Sequence, residues 1–599
     1  MLLKLSKSRM SRTFLITALL LTLMSCNPDG SQSGASGLQV HTYDQMNMET
    51  DGLNSHAGVT GRSSLAFIGG TYVRLGKSDT PSEGANDVGV VYPRFVKTSQ
   101  GDWLMFYHYV NTSTPAGNKC AYMRSADLQN WTFEKMLFSP VTFTSKEDGK
   151  EYTRVYAGAD LLSLPDGRIM AVAATRRLTD YQRHSIDNGL AVRYSSDGGR
   201  TWTDDQFIGV GSVWEPKPLL LSDGTIQIYY TDSDIIYDDV WSISINNSGT
   251  SYVYSADNGK TWEYKDAAGN HFPAFRQVFQ KNGTTVLYTD QMPAVTLING
   301  TDMIAAAAES DVASDITKDE YMISLAYTDE NGSWGVPDAE GVIPADRSDD
   351  MFKGCAPYIM QFPSGETVLS YNCSGIFYYR MGNEKARGFG NESRVFDWNA
   401  DVGKGFWGTV VAADDHVLLA AVGGGSVKEG DPDDGNWKME LGRFYLNHNI
   451  SAPQEGITVD GNNSEWKGTE ALFVGSGKIR TAAGKAAQSV LRAANDAENL
   501  YLTVDAVGNH ITEINFSSGY LTVDSSGLLM SSFMDVKVAS QKGITSKGEN
   551  GYVTEISIPL KTFGRNPKSV PVRIAASDGT LRDLMASDYA SSWPCIQIR

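Results

Sequence analysis

Cysteine is scarce, with five in 599 residues, so no dense disulfide framework holds this chain together. Histidine is nearly as rare, at eight. Neither HExxH nor CxxC spacing occurs, and no zinc centre is expected. No GxGxxG opens a helix and no P-loop is present, so nucleotide binding has no support. A twelve-residue EF-hand loop is also missing; the abundant Asp-Gly pairs read as turns, and structural calcium held by loops has no motif behind it. No cofactor is expected. Basic residues are outnumbered, 51 Lys and Arg against 70 Asp and Glu. A phosphate backbone would repel the resulting charge of -19, which argues against nucleic acid and for a neutral polymer. Convincing amphipathic helices are absent from the first three quarters of the chain.

Apolar residues make up 41% of the sequence, ample for packed cores, and the length exceeds what one core serves. Lys4, Lys7, Arg9 and Arg12 precede an apolar run over 14–24, the layout of a secretory signal too short to span a bilayer. Leu23-Met24-Ser25-Cys26 resembles a bacterial lipobox. That resemblance implies lipidation of Cys26 and an exported chain anchored to a bacterial membrane, on the periplasmic side or the cell surface. Residues 1–26 are then the signal and 27–84 a tether and N-terminal extension. A monomer is expected. Cys355 and Cys373 bracket a hairpin centred near Ser364, which makes them a disulfide candidate.

The stretch 213–234 shows in miniature what the chain repeats. Two apolar runs flank Ser222-Asp223-Gly224, the signature of a β-hairpin, and place Glu215 and Asp232 at one end. Similar segments occupy 92–110, 156–177, 292–311, 356–375 and 406–425. Repeated antiparallel sheets of this kind point to an all-β chain with a six-bladed β-propeller over 85–447. Ser195-x-Asp197-x-Gly199-x-Thr201-Trp202 and Ser255-x-Asp257-x-Gly259-x-Thr261-Trp262 are turns that resemble the Asp box of the sialidase superfamily, with worn copies at 125–131 and 328–334. Those boxes are structural and say little about chemistry.

Aligned on their turns, the hairpins bring Tyr92, Arg94, Asp160, Glu215 and Lys217 from strand starts to one mouth. His108, Arg176, Asp232, Glu309 and Tyr371 or Asn372 join them from strand ends. Glu215 and Glu309 are the candidate carboxylate pair of a glycosidase, with Arg94, His108, Asp160, Arg176, Asp232, Tyr371 and Trp407 as candidate substrate contacts. The same residues would also suit a propeller that binds glycans without chemistry. Trp214-Glu215-Pro216 with its Asp-Gly turn and Tyr229-Tyr230, followed by Met292-Pro293 and Ala308-Glu309, is similar to the two glutamate motifs of glycoside hydrolase family 93. The resemblance implies retaining exo-hydrolysis of an arabinan-like polysaccharide, with Glu215 as acid/base and Glu309 as nucleophile. True sialidases resemble one another in an arginine triad, a Tyr/Glu nucleophile pair and an Asp acid. Here Tyr92-Pro93-Arg94-Phe95 places one arginine near their first position, while Ala356-Pro357-Tyr358 and Phe406-Trp407-Gly408 stand at the late hairpin starts, where a third would be needed. Exo-α-sialidase is the second enzyme reading.

Beyond a linker at 447–453, residues 448–599 read as a C-terminal β-sandwich. Ile457-x-Val459-Asp460-Gly461 with Glu465-Trp466, Asn499-Leu500-Tyr501-Leu502, and Gly551-Tyr552-Val553 with Glu555 resemble family-9-like carbohydrate-binding modules. Trp466, Tyr520 and Trp593 are the aromatic residues available for stacking on a sugar, although Trp466 beside the first strand suits a core.

Overall fold

The computed structural model describes residues 37–42, 62–82, 87–111, 119–179, 181, 184–233, 236–238, 243–245, 248–267, 269–282, 285–288, 290–313, 320–338, 343, 346–396, 405–424, 438–480, 486–584 and 593–599. The expected signal, Cys26 and most of the expected tether lie outside them. No described helix is long and apolar enough to cross a membrane. Apart from short 3-10 turns, the regular structure of the described residues is strand.

Residues 64–75 and 87–447 form six antiparallel sheets of four or five strands, called A to F in the chain order of their first strands, besides two short two-stranded hairpins. Their first strands are Asp87–Lys97, Glu151–Ser163, Val213–Leu220, Asp290–Leu297, Cys355–Gln361 and Gly405–Ala412. Each first strand touches the first strand of the next sheet, and that of F touches that of A. The cores close the same cycle. Leu104 and Phe106 of sheet A pack with Tyr156 and Ala171 of B, while Met105 and Tyr107 pack with Leu419 and Ala421 of F. Further shared cores join B to C, C to D, D to E and E to F. This explains why the second strands are apolar on both faces: alternate residues enter two different cores. Gly423 marks the closure of F on A, since a Cβ there would lie 2.5 Å from the Val90 carbonyl.

The outermost strand of sheet F is Ser64–Phe67, paired with Met439–Asn447. Met439–Asn447 is the third strand of that sheet, and the closing strand comes from the N-terminal extension. Each Asp box ties its sheet to the one before. Asp197 accepts the Arg200 and Thr201 N–H groups and the Thr201 hydroxyl, while Trp202 Nε1 reaches the Tyr122 hydroxyl of sheet A at 3.2 Å. The Asp257 box repeats this pattern of turn bonds.

The tail contributes two more sheets. One runs Gln39–Val40, Lys537–Thr545, Asn550–Pro559, Asn499–Val507, Ala486–Asn495, Ala471–Arg480. The other runs Ile450–Ala452, Cys595–Ile598, Ser569–Ser577, Ile511–Phe516, Gly519–Asp524, Gly527–Ser531. Leu491, Leu502 and Ile556 of the first meet Ile514, Val572 and Ile574 of the second in one core. The tail is fastened to sheet F: Asn447 bonds both ways with the Phe473 backbone, and Phe473 packs against Ala66 and Tyr445.

Candidate functional site

The site begins with one backbone device used six times. In every first strand the pairing register jumps, so that two residues oppose one on the neighbouring strand. The first residue of each bulge has positive φ: Tyr92 (58°), Gly158 (59°), Glu215 (45°), Met292 (50°), Ala356 (54°) and Trp407 (51°). Only one is glycine, and each of the others costs about 1 kcal/mol or more in that region. In four sheets the second bulge residue is a proline, Pro93, Pro216, Pro293 and Pro357, which has no N–H to leave unpaired. Tyr92, Met292 and Ala356 meet in a central cluster with Phe406 and Trp407.

A side chain from the second strand holds the next bulge in place. The residue opposite the one before each bulge is His108, Ala174, Thr231, Glu309, Asn372 or Gly423. His108 Nδ1 accepts the Gly158 N–H at 3.1 Å, Thr231 Oγ1 that of Met292 at 2.8 Å, and Glu309 Oε2 that of Ala356 at 2.7 Å. Asn372 Oδ1 does the same for Gly408 at 3.4 Å. The strained loops are thus clamped sheet to sheet.

Glu215 and Glu309 occupy this framework in different ways. Glu215 sits on its own bulge, where Thr231 Oγ1 donates to Oε2 at 2.9 Å and Tyr92 Oη to Oε1 at 3.5 Å. Because Thr231 spends its acceptor on the Met292 N–H, its proton is directed at Glu215. Burial pushes the Glu215 carboxyl up to about 7, the Thr231 bond opposes that rise, and the nearby Glu309 charge adds to it. Glu309 is held by an N–H donor on each oxygen, Gln291 Nε2 at 3.0 Å and the Ala356 amide. The Tyr92 hydroxyl is pushed well above its ordinary value, by burial first and by Glu215 next, and stays protonated. Its ring stacks on Trp407 at 4.9 Å and lies 4.4 Å from the His108 ring.

Glu215 lines a cavity together with a set of charged and aromatic side chains. Arg94, Asp160, Lys217 and Tyr358 stand there with Tyr92, Glu215 and Met292. Asp160 lies 3.8 Å from Arg94 and 3.2 Å from Lys217, whose Nζ donates to the Tyr358 hydroxyl at 2.5 Å. Arg94 also donates to the Pro93 and Trp407 carbonyls. Arg176 packs 3.6 Å above the Trp214 ring, beside Glu215.

Two expected contacts do not join the cluster. Asp232 follows Thr231 by one residue and therefore faces the other side of the sheet, where Ser251, His271 and Arg276 engage it. Tyr371 precedes Asn372 by one and for the same reason points into the core shared by sheets D and E, bonded to Glu392 and Arg380. Cys355 and Cys373 are both free thiols. The bulge sets Cys355 opposite Asn372, so the two cysteines fall one register apart on opposite faces. Thr231, Gln291 and the recurring bulges escaped the sequence reading, although the Tyr-Pro, Glu-Pro, Met-Pro and Ala-Pro pairs at matched places were their signal. In the tail, Trp466 is fully buried, Trp593 is 6% exposed and Tyr520 is 41% exposed. Among the described residues no group of three or more His, Cys, Asp or Glu is placed to hold a metal ion.

No family model matches the sequence, and no curated protein does. Among solved structures, a protein of unknown function from Dyadobacter fermentans is similar at 14% identity and TM-score 0.42, covering 65% of this chain and 100% of that one. The GH93 α-L-arabinofuranosidase of Fusarium graminearum, in complex with arabinobiose, is similar at 14% identity and TM-score 0.42, covering 62% and 97%. The intramolecular trans-sialidase of Ruminococcus gnavus is similar at 10% identity and TM-score 0.37, covering 62% and 96%.

Proposed function

We propose that the chain is an exported, lipid-anchored glycoside hydrolase whose six sheets form a six-bladed β-propeller, followed by a β-sandwich of the carbohydrate-binding type. The observation that carries the catalytic part is Glu215: a half-buried carboxyl at about 7, next to a second carboxylate, on a strained bulge. Such a group is half protonated near neutrality and gives a proton readily. Thr231 engages Oε2 closely, whereas Oε1 has only the longer contact from Tyr92 and is the oxygen less committed within the chain.

In the first step a Glu309 oxygen bonds to the anomeric carbon while the glycosidic C–O bond breaks, and the departing oxygen takes the proton of Glu215. In the second, Glu215 removes a proton from water, the water oxygen bonds to the anomeric carbon, and Glu309 leaves as carboxylate. The sugar is recovered with its configuration retained. The donors on Glu309 fix its orientation before reaction, which supplies the positioning this chemistry needs.

An arabinan-like chain attacked from its end is the leading substrate, on the strength of the Trp214-Glu215-Pro216 and Met292-Pro293…Glu309 motifs. Exo-α-sialidase action is the second reading, and the contact between Tyr92 and Glu215 favours it. Turnover of a panel of aryl glycosides, including arabinofuranosides and a sialoside, decides between them. Silence on the whole panel with glycan binding retained would replace both with a binding protein.

A further inference from the structure

Arg176 is a cation without a counter-ion. It is 5% exposed, and neither Nη1 nor Nη2 has a hydrogen-bond partner. Among the described residues no carboxylate lies within 4.0 Å of it, in contrast to Arg177 next in sequence, which has Asp187 at 3.7 Å. Its guanidinium is stacked at 3.6 Å from the Trp214 ring and 4.8 Å from that of Tyr181, rings that do not neutralise it. Leaving a buried charge uncompensated is strongly unfavourable, so the position calls for a partner outside the chain.

The neighbourhood says what kind of partner. The charged group that Arg176 senses beside two tyrosines is Glu215. Glu215 carries a proton in the acid step, so at that moment even this remote compensation is gone. A third spare donor stands close by. His108 accepts the Gly158 N–H through Nδ1, so its own proton is on Nε2, which is buried and unpartnered. Burial, with Arg94 and Arg176 nearby, lowers this imidazole to about 3 and keeps it neutral. The unpartnered capacity of these two side chains is therefore all donor, in a fork and a single N–H, which is complementary to a carboxylate.

We propose that the sugar held at Glu215 carries a carboxylate, and that Arg176, with His108 Nε2, binds it: the substrate is an acidic glycan with a uronosyl or related acidic unit in or beside the cleaved position. This rests on the hydrolase reading and sets an acidic sugar in place of the neutral arabinan-like one as its substrate. The chain's net charge of -19 disfavours long polyanions, but one carboxylate in a pocket with its own guanidinium is a local matter that the net charge does not decide.

The test is calorimetric titration of the full chain with methyl glycosides of glucuronate, galacturonate and N-acetylneuraminate, each against its own methyl ester. At least one acid should bind tenfold or more tightly than its ester. Arg176→Gln should erase that preference, and Arg176→Lys, which keeps the charge and loses the fork, should retain part of it. The acid that wins identifies the source of the carboxylate. Equal binding of acid and ester throughout, no binding of any, or a preference that survives Arg176→Gln would overturn the proposal. If Arg176→Gln fails to fold by circular dichroism, the Lys variant and the acid-to-ester ratio of the unaltered chain still decide. Acid-selective binding without turnover of any aryl glycoside would sink the hydrolase and leave this site standing. Turnover of neutral arabinosides without acid preference would do the reverse.

Discussion

The ring and the tail are built from the same kind of strand, yet they differ in how their buried charges are paired and where their strained backbone sits. In the tail, Glu555 accepts the Asp460 and Gly461 amides and Trp466 Nε1, all at 2.7–2.8 Å. Asp505 likewise accepts the His41 amide and Asn463 Nδ2, with Arg492 at 3.5 Å. The described non-glycine residues with positive φ in the tail are Asp535 and Asn566, types that tolerate it. At the centre of the ring the corresponding residues are Tyr92, Glu215, Met292, Ala356 and Trp407, one carboxyl is displaced to about 7, and Arg176 lacks a counter-ion. Polar groups in the tail serve the fold. At the mouth the fold bears a strain that it does not need, and the difference points to function.

Substitutions should break this contrast in a graded way. Replacing Glu309 by Gln should lower turnover about a thousandfold or more, measured on whichever aryl glycoside is cleaved, with a melting curve like that of the parent. Glu555→Ala should do the opposite: it leaves two buried donors and a part-buried one unsatisfied, destabilises by about 4 kcal/mol in denaturant titration, and spares kcat.

Glu215→Gln should stabilise the protein at alkaline pH. The folded pKa of Glu215, about 7, lies above the ordinary 4.5, so the stability it contributes is fully present below 4.5 and is lost as pH rises through 7. The variant is spared that loss, about 3 kcal/mol in full, and its melting temperature should exceed that of the parent more at pH 8 than at pH 5. A smaller effect follows from Thr231→Val, which removes the bond that opposes the rise. The pKa read from kcat/KM should move upward while kcat changes less than tenfold.

Smallest is the acid response of the Asp boxes. Asp197 and Asp257 are held well below the usual carboxylate range by their turn hydrogen bonds, so the stability they add is present above about pH 4 and lost as pH falls further. Replacing either by Asn should flatten the acid side of a plot of melting temperature against pH.

Strand periodicity and Asp-Gly turns were enough to locate the hairpins, because an apolar run broken by a turn has few other uses. Sequence also singled out Glu215 and Glu309. It misplaced Asp232 and Tyr371, each by one residue, because the bulges that reset the register leave no mark in apolar periodicity. The closing strand at 64–67 was hidden for another reason: its partner lies more than 370 residues away, at 444–447. The spare donors of Arg176 belong to the same class, since a missing partner is visible only in three dimensions.

The most direct test of the central claim is the pH dependence of kcat/KM on a substrate with a poor leaving group, for the parent and for Glu215→Gln. The parent's rate should fall as pH rises through about 7, where the acid loses its proton, and the variant should have lost most of its activity along with that limb. A variant that keeps its rate, or keeps the same alkaline limb, would contradict the assignment of Glu215 as the proton donor.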